Sequence, residues 1–383
     1  MDLTLTEEQE LLRSSANHYL CDQSTPTRVR ELADSAEGWS ASDWRHIASE
    51  LGWIGAAVPE AYGGLGLGVA ELVVLQQELG RALYPSPFFA VSGLAVPAML
   101  ELGTPKQLER LLPPIIGGES IATLVFTDMQ GQPFPAGVQI TAKAGADTVR
   151  LTGAAGFVLF GHAADLLLVV AHEGDGLSLF AVPSRTLGVT LRRLKSADPA
   201  RQLSALSLDA EVPASARLGI AGQAQAALQR VMLRAAVIQA AEQIGGAERC
   251  IEMAVAYSQQ RVQFGRPIGS FQALKHFMAD SYVACETGKS MLWYAACVAE
   301  GQIDSLDEVA PMVKAYASDA FLRCVQDTIQ LHGGMGYTWG CDAHLYLKHA
   351  RATANFLGDS AWQREQLAAA LKLVPETIPR EFQ

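Results

Sequence analysis

Residues 261–272 read RVQFGRPIGSFQ and gather three side chains suited to holding a large polar ligand. Arg261 offers a planar five-donor fork that matches a phosphate, Phe264 a flat apolar face, and Gln272 an amide that both donates and accepts. The set could grip a nucleotide cofactor. It could equally be an elbow between two helices, with Gly265 and Pro267 setting the turn. A second stretch, QLHGGMGYT at 330–338, stops a helical pattern at Gly333 and Gly334. A helix stop explains one of that pair; the further Gly336 gives weight to backbone amides that approach a ligand closely. Glu242 lies in AAEQIGGAERC among alanines, isoleucine and glycines. A lone carboxylate is costly there unless it has a partner or a task. Arg234, eight residues earlier, falls close to the same helical face. In NFLGDSAW, 355–362, Asp359 reads as the N-cap of a tail helix rather than as an acid.

These residues need a scaffold, and 383 residues suit two or three domains. With 49% hydrophobic and 18% charged residues, much apolar surface must be hidden in a core or between subunits, so an oligomer is expected. The net charge of -11 argues against a nucleic-acid partner, which needs a basic stripe. Six scattered cysteines without a CxxC pair suggest idle thiols, and no metal site is expected. The acidic start MDLTLTEEQELL and the absence of an apolar run near about 18 residues predict a cytoplasmic chain with no membrane contact.

Thr6 caps an amphipathic helix over 5–20, and helical periodicity continues to about residue 118, broken by PEAYGGLGLG. From about 119 the pattern turns to short β-rich runs: IATLVFT, GVQITAKA, DTVRLTG, DLLLVVAHE, LSLFAVP, VTLRRL and SALSLDA. From 221 long alanine- and leucine-rich helical segments return. The expectation is an α+β protein with an N-terminal helical domain (1–118), a central β-sheet or barrel domain (119–220) and a C-terminal helical-bundle domain (221–383). GGLGLG follows a loop rather than a strand, so a dinucleotide-binding βαβ unit is not expected.

TEEQELL, GWIGAAVPEAYGGLGLG (52–68), QELGRALYPSPF (77–88), RVQFGRPIGSFQALKH, QLHGGMGYT and FLGDSAWQRE, in this order, resemble the acyl-CoA dehydrogenase family over essentially the whole chain. The resemblance implies a C-terminal four-helix bundle and FAD held between domains and completed by a neighbouring subunit. Arg261 and Phe264 match residues around the flavin pyrophosphate, Gln272 a second cofactor contact, and Gln330, Gly333 and Gly334 the adenine-end stretch. The central part departs from the family. Thr127 keeps the threonine of the flavin loop in TDMQGQ, but the proline is lost, and the flavin wall reads Phe157, Val158, Leu159, where leucine cannot supply a threonine's hydrogen bond.

Family chemistry takes an α-proton from an acyl thioester as hydride passes to the flavin, so a base is required. Leu357 stands where many members carry that glutamate, just before Gly358, the turn glycine expected on the substrate side. A second family position for the base, near Ala235, is also empty. Glu242 is then the candidate base, with Arg234 steering the acyl-CoA anion. The leading expectation is FAD-dependent α,β-desaturation of an acyl-CoA, with electrons passed to an electron-transfer flavoprotein, in a homo-oligomer or a hetero-oligomer with a second acyl-CoA dehydrogenase subunit. The alternative is a non-catalytic, cofactor-completing partner in such a hetero-oligomer.

Overall fold

A computed structural model describes residues 4–198, 200–301 and 306–373. Helices α1 (Glu7–Gln23), α2 (Pro26–Asp34), α3 (Ala41–Ser49), α4 (Val69–Ala82), α5 (Val96–Leu102) and α6 (Pro105–Ile116) form the N-terminal part. Their starts are chemically marked. Thr6 accepts from Gln9 N, and the Gln9 side chain returns the bond to Thr6 N; Thr104 and Gln107 repeat this box at α6. A π-helical segment, Phe89–Ala95, runs directly into α5.

Strands β1 (Ala122–Val125), β2 (Thr141–Ala144), β3 (Thr148–Leu159), β4 (Leu166–Glu173), β5 (Gly176–Pro183), β6 (Val189–Leu194), β7 (Leu203–Pro213) and β8 (Arg217–Leu218) follow. They make one sheet in the order β6-β7-β3-β2-β4-β5-β8, with β1 parallel to β4. The seven expected β-rich runs all carry strands of this sheet. The β3–β7 register shifts between Ala155 and Val158, and Phe157 takes a left-handed φ of 52° at that bulge. A bulge re-aims side chains, and this one turns the Phe157 segment toward the bundle.

Helix α7 (Gln225–Gln260) then spans the molecule, followed by the ribbon β9 (Val262–Gln263) and β10 (Arg266–Pro267). Helices α8 (Gln272–Gly301), α9 (Leu306–His332), α10 (Ala343–Asn355) and α11 (Ser360–Ala370) complete the bundle. Helix α7 is buried over most of its length because alanines and glycines let neighbours come close. A Cβ on Gly80 of α4 would collide with the Glu242 carbonyl, and one on Gly245 with the Gln77 carbonyl. The N-terminal helices and the bundle therefore meet backbone to backbone along α4 and α7. Among the described residues no helix is long and apolar enough to cross a membrane.

Candidate active-site cleft and cofactor face

A cleft of about 440 Å³ opens where the sheet meets the bundle. Three expected cofactor contacts line it together: Thr127, Phe157 and Leu159. The loop between β6 and β7 adds Lys195 and Arg201, and the end of α10 adds Phe356 and Leu357. Thr127 is committed locally, its hydroxyl donating to the Gly156 carbonyl. Asp128, the carboxylate of TDMQGQ, is turned inward and accepts from Gln130 N and Gln132 N, each at 2.9 Å, so it shapes the loop that the missing proline would have stiffened. Among the described residues, no carboxylate lines this cleft.

Leu357 lines the cleft and also an adjoining cavity of about 250 Å³ beside the start of α7. It holds a left-handed φ of 62°, and Gln363 donates to its carbonyl at 2.6 Å. Gly358 is buried against the Trp362 indole, and Asp359 caps α11 by accepting from Trp362 N at 2.8 Å. The turn is thus built for a particular backbone path, with an apolar side chain at its centre.

Glu242 is not the lone carboxylate that its sequence neighbours suggest. Its carboxylate pairs with Arg201, and its Oε1 lies 3.0 Å from His349 Nε2. His349 Nδ1 lies 2.9 Å from Asp198, giving a buried chain of four charges that ties the β6–β7 loop to α7 and α10. The Arg201 guanidinium lies between the Phe89 and Phe356 rings, 4.9 and 5.3 Å from their centroids. Gln239, with its amide turned to suit both neighbours, accepts from Arg201 Nη1 at 2.9 Å and donates to the Phe356 carbonyl at 3.0 Å. Burial alone would raise the Glu242 pKa, but Arg201 and His349 outweigh it and hold the carboxyl below its usual range. Burial works against charge on His349 too, yet Asp198 and Glu242 lift its pKa to about 9.

Arg234, expected to steer the acyl-CoA anion, is instead engaged by Glu101. Arg234 Nη1 donates to Glu101 at 2.8 Å, and Arg230 binds the other Glu101 oxygen at 2.7 Å. Helical phase placed Arg234 near Glu242, but the α5 carboxylate lies within closer reach of its long side chain. Glu248 and Glu252 on the same helix as Glu242 are half-buried: Glu252 takes a two-pronged bond from Arg81, and Glu248 accepts from Lys289 Nζ at 2.6 Å.

Lys314 on α9 is a further buried charge that the sequence did not announce. Its Nζ donates to Ser318 Oγ at 2.9 Å and to the Thr353 carbonyl at 3.1 Å, holding the last turn of α10 just before Phe356. Burial, with Arg201 nearby, lowers its pKa to about 7. Arg201, His349 and Lys314 could have been sought as buried bases matching an apolar-set acid; DPARQ reads locally as a turn and α10 as an ordinary amphipathic helix.

The remaining expected cofactor residues collect at the opposite end of α7. Arg261, Phe264, Gln272, Gln330, Gly333 and Gly334 are all exposed, and Phe264 is 92% so. Tyr257 stacks on His332 at 4.2 Å between centroids, which brings the two glycine-containing stretches to one end of the bundle. None of the six lines the cleft at Phe157. The structure thus separates a cleft group from an outward-facing group.

This arrangement has close parallels. Residues 6–119 match the family model for the acyl-CoA dehydrogenase N-terminal domain, and residues 223–372 that for the C-terminal domain. The chain is similar to acyl-CoA dehydrogenase IpdE2 of Mycolicibacterium smegmatis, with 33% identity over 95% of this chain and 99% of the relative. It superimposes on a chain of the ChsE4-ChsE5 complex from Mycobacterium tuberculosis with a TM-score of 0.89 and 28% identity, over 98% and 100% of the two chains. A Tcur3481-Tcur3483 steroid ACAD gives 0.85 and 32%, over 97% and 99%. The two family models cover most of the chain and the relatives match it end to end: the chain belongs to the acyl-CoA dehydrogenase family.

Proposed function

We propose that this chain is the cofactor-completing partner in a hetero-oligomeric acyl-CoA dehydrogenase, rather than a subunit that removes a substrate proton itself. This reverses the order of the two expectations drawn from sequence. The observation that carries it is the state of Glu242, held by Arg201 and His349 behind the cleft wall, with Leu357 at the turn. A general base must be free to accept a proton within hydrogen-bond reach of the substrate. Glu242 has spent its oxygens on two cations, and its lowered pKa opposes protonation.

FAD is the cofactor of this family, supplying the hydride acceptor when bound. The cleft meets the size of a ligand pocket, within the range of about 300–1,000 Å³, and Phe157 and Leu159 offer apolar walls for a planar ring system. The outward group supplies what the distal half of a dinucleotide needs. Arg261 would take the pyrophosphate, Phe264 its apolar surroundings, Gln272 a polar edge, and Gln330 with the Gly333–Gly334 backbone the adenine end. Because these six face away from the cleft, they serve a flavin seated in another subunit. The names of the two complexes with similar chains support a hetero-oligomer, and the steroid ACAD supports a bulky acyl-CoA substrate. Electrons would leave through an electron-transfer flavoprotein.

The test is to express the chain alone and with a co-encoded acyl-CoA dehydrogenase-like subunit, and to record visible spectra before and after anaerobic addition of acyl-CoA. A colourless chain that acquires a substrate-bleached flavin band only with its partner is expected. A yellow single chain that bleaches with acyl-CoA would sink the proposal and restore the stand-alone dehydrogenase.

A further inference from the structure

A second pocket, open to solvent along one rim, has no part in this reading. Between α4, α5, α7 and the segment 54–58 lies a cavity of about 170 Å³, closed on one side by the π-helical turn that carries Ser92. Its walls are mostly apolar: Ile54, Val58, Leu72, Val96, Leu100 and Ile238. Two buried polar atoms on this wall lack a protein partner among the described residues, Ser92 Oγ and Arg234 Nε. Ser92 is 2% exposed, so its hydroxyl is not hydrated from outside.

The two orphans differ from ordinary helix polar groups. A buried helical serine usually returns its hydroxyl to the preceding turn, which would have satisfied it. Arg234 gives Nη1 to Glu101 and leaves its buried Nε without a partner among the described residues. Buried donors are almost always paired, so two at one cavity call for an acceptor inside it. At the rim, Arg230 and Arg234 share the single carboxylate of Glu101, leaving one net positive charge among these three. Neither Ser92 nor Arg234 lines the flavin-side cleft, so the space is separate from it.

We infer that this cavity binds a compact apolar molecule of about one ring that carries an oxygen acceptor, a ketone or a carboxylate, held by Ser92 Oγ–H and Arg234 Nε–H. The size follows from cavities of about 150 Å³ that accept benzene. The apolar walls give such a ring a burial gain that water in the same space lacks. Ketone and carboxylate share the acceptor chemistry; the positive rim distinguishes them, since only the carboxylate's affinity falls with added salt.

The test uses the full chain, with any subunit that copurifies, and saturation-transfer NMR of cyclohexanone and of cyclohexanecarboxylate at millimolar concentration. At least one probe should bind. Ser92→Ala, which removes the hydroxyl, should weaken it roughly threefold to tenfold, in line with the loss of one hydrogen bond. Leu100→Trp, at the partly exposed rim, should fill the space and abolish binding. No binding of either probe to the wild type would overturn the assignment, and so would binding that both variants leave unchanged. If the tryptophan variant does not fold, the alanine variant decides alone. The flavin spectrum of the complex plays no part in this readout, so the site and the partner-subunit reading fail separately.

Discussion

His349 stands 3.0 Å from Glu242 across the α7–α10 contact, in the geometry of an ion pair rather than an aligned hydrogen bond, with both side chains buried. Arg201 and Asp198 extend the pair on either side. Removing one member of a buried pair leaves its partner uncompensated, at a cost of roughly 3–5 kcal/mol. Glu242→Gln should therefore lower the unfolding free energy by about that amount, read from urea melts. Flavin bleaching by the assembled hetero-oligomer, measured where the variant remains folded, should keep its rate. A bleaching rate that collapses with little loss of stability would return Glu242 to the mechanism.

The pH dependence of stability contains two opposed contributions. His349 has its folded pKa raised from 6.5 to about 9, so its stabilisation is complete below 6.5 and is lost as pH climbs through 9. Lys314 has its folded pKa lowered from 10.5 to about 7. The unfolded chain then holds the extra proton between those values, and stability recovers as pH rises from 7 toward 10.5. Between pH 7 and 9 the two slopes cancel. Lys314→Met should remove the rising arm and expose a fall of up to about 1.4 kcal/mol per pH unit in that window. Chemical denaturation at a series of pH values checks the sign; an unchanged profile would show that Lys314 does not titrate there.

Arg261 is exposed and outside the core, so Arg261→Ala should leave the fold intact. It should loosen flavin in the complex about tenfold to hundredfold, the loss expected for one charge-assisted bond to a phosphate. Release of fluorescent FAD on dilution measures this. Retention equal to wild type would remove the outward face from cofactor binding.

Asp359→Ala should cost about 1 kcal/mol through loss of the α11 cap, visible as a lower melting temperature. The complex should still turn over at the wild-type rate. A lost activity with an unchanged melting temperature would make Asp359 an acid after all.

Much of the scaffold could be read from the chain because its determinants are local. Thr6 announces α1 by its spacing to Gln9, and the runs from Ile121 to Ala210 alternate or cluster as strands do. The short strand β8 and the ribbon β9–β10, two residues per strand, are too brief to leave a periodic trace. At the site, Thr127, Phe157 and Leu159 come to one wall, whereas the surroundings of Glu242 did not follow from its own helix. Its partners Arg201 and His349 lie 41 and 107 residues away along the chain. Helical phase relates residues on one element only; it has no access to what another element brings across. Arg234 illustrates the same limit, since Glu101 on α5 took the guanidinium expected to steer an acyl-CoA anion.

The close approach of Gly80 to the Glu242 backbone, and of Gly245 to the Gln77 backbone, bears on how the molecule can open. With no side chains between them, α4 and α7 have no lubricating layer along which to slide, and a shift of either would drive backbone into backbone. Along this seam the two helical parts are therefore joined as one block.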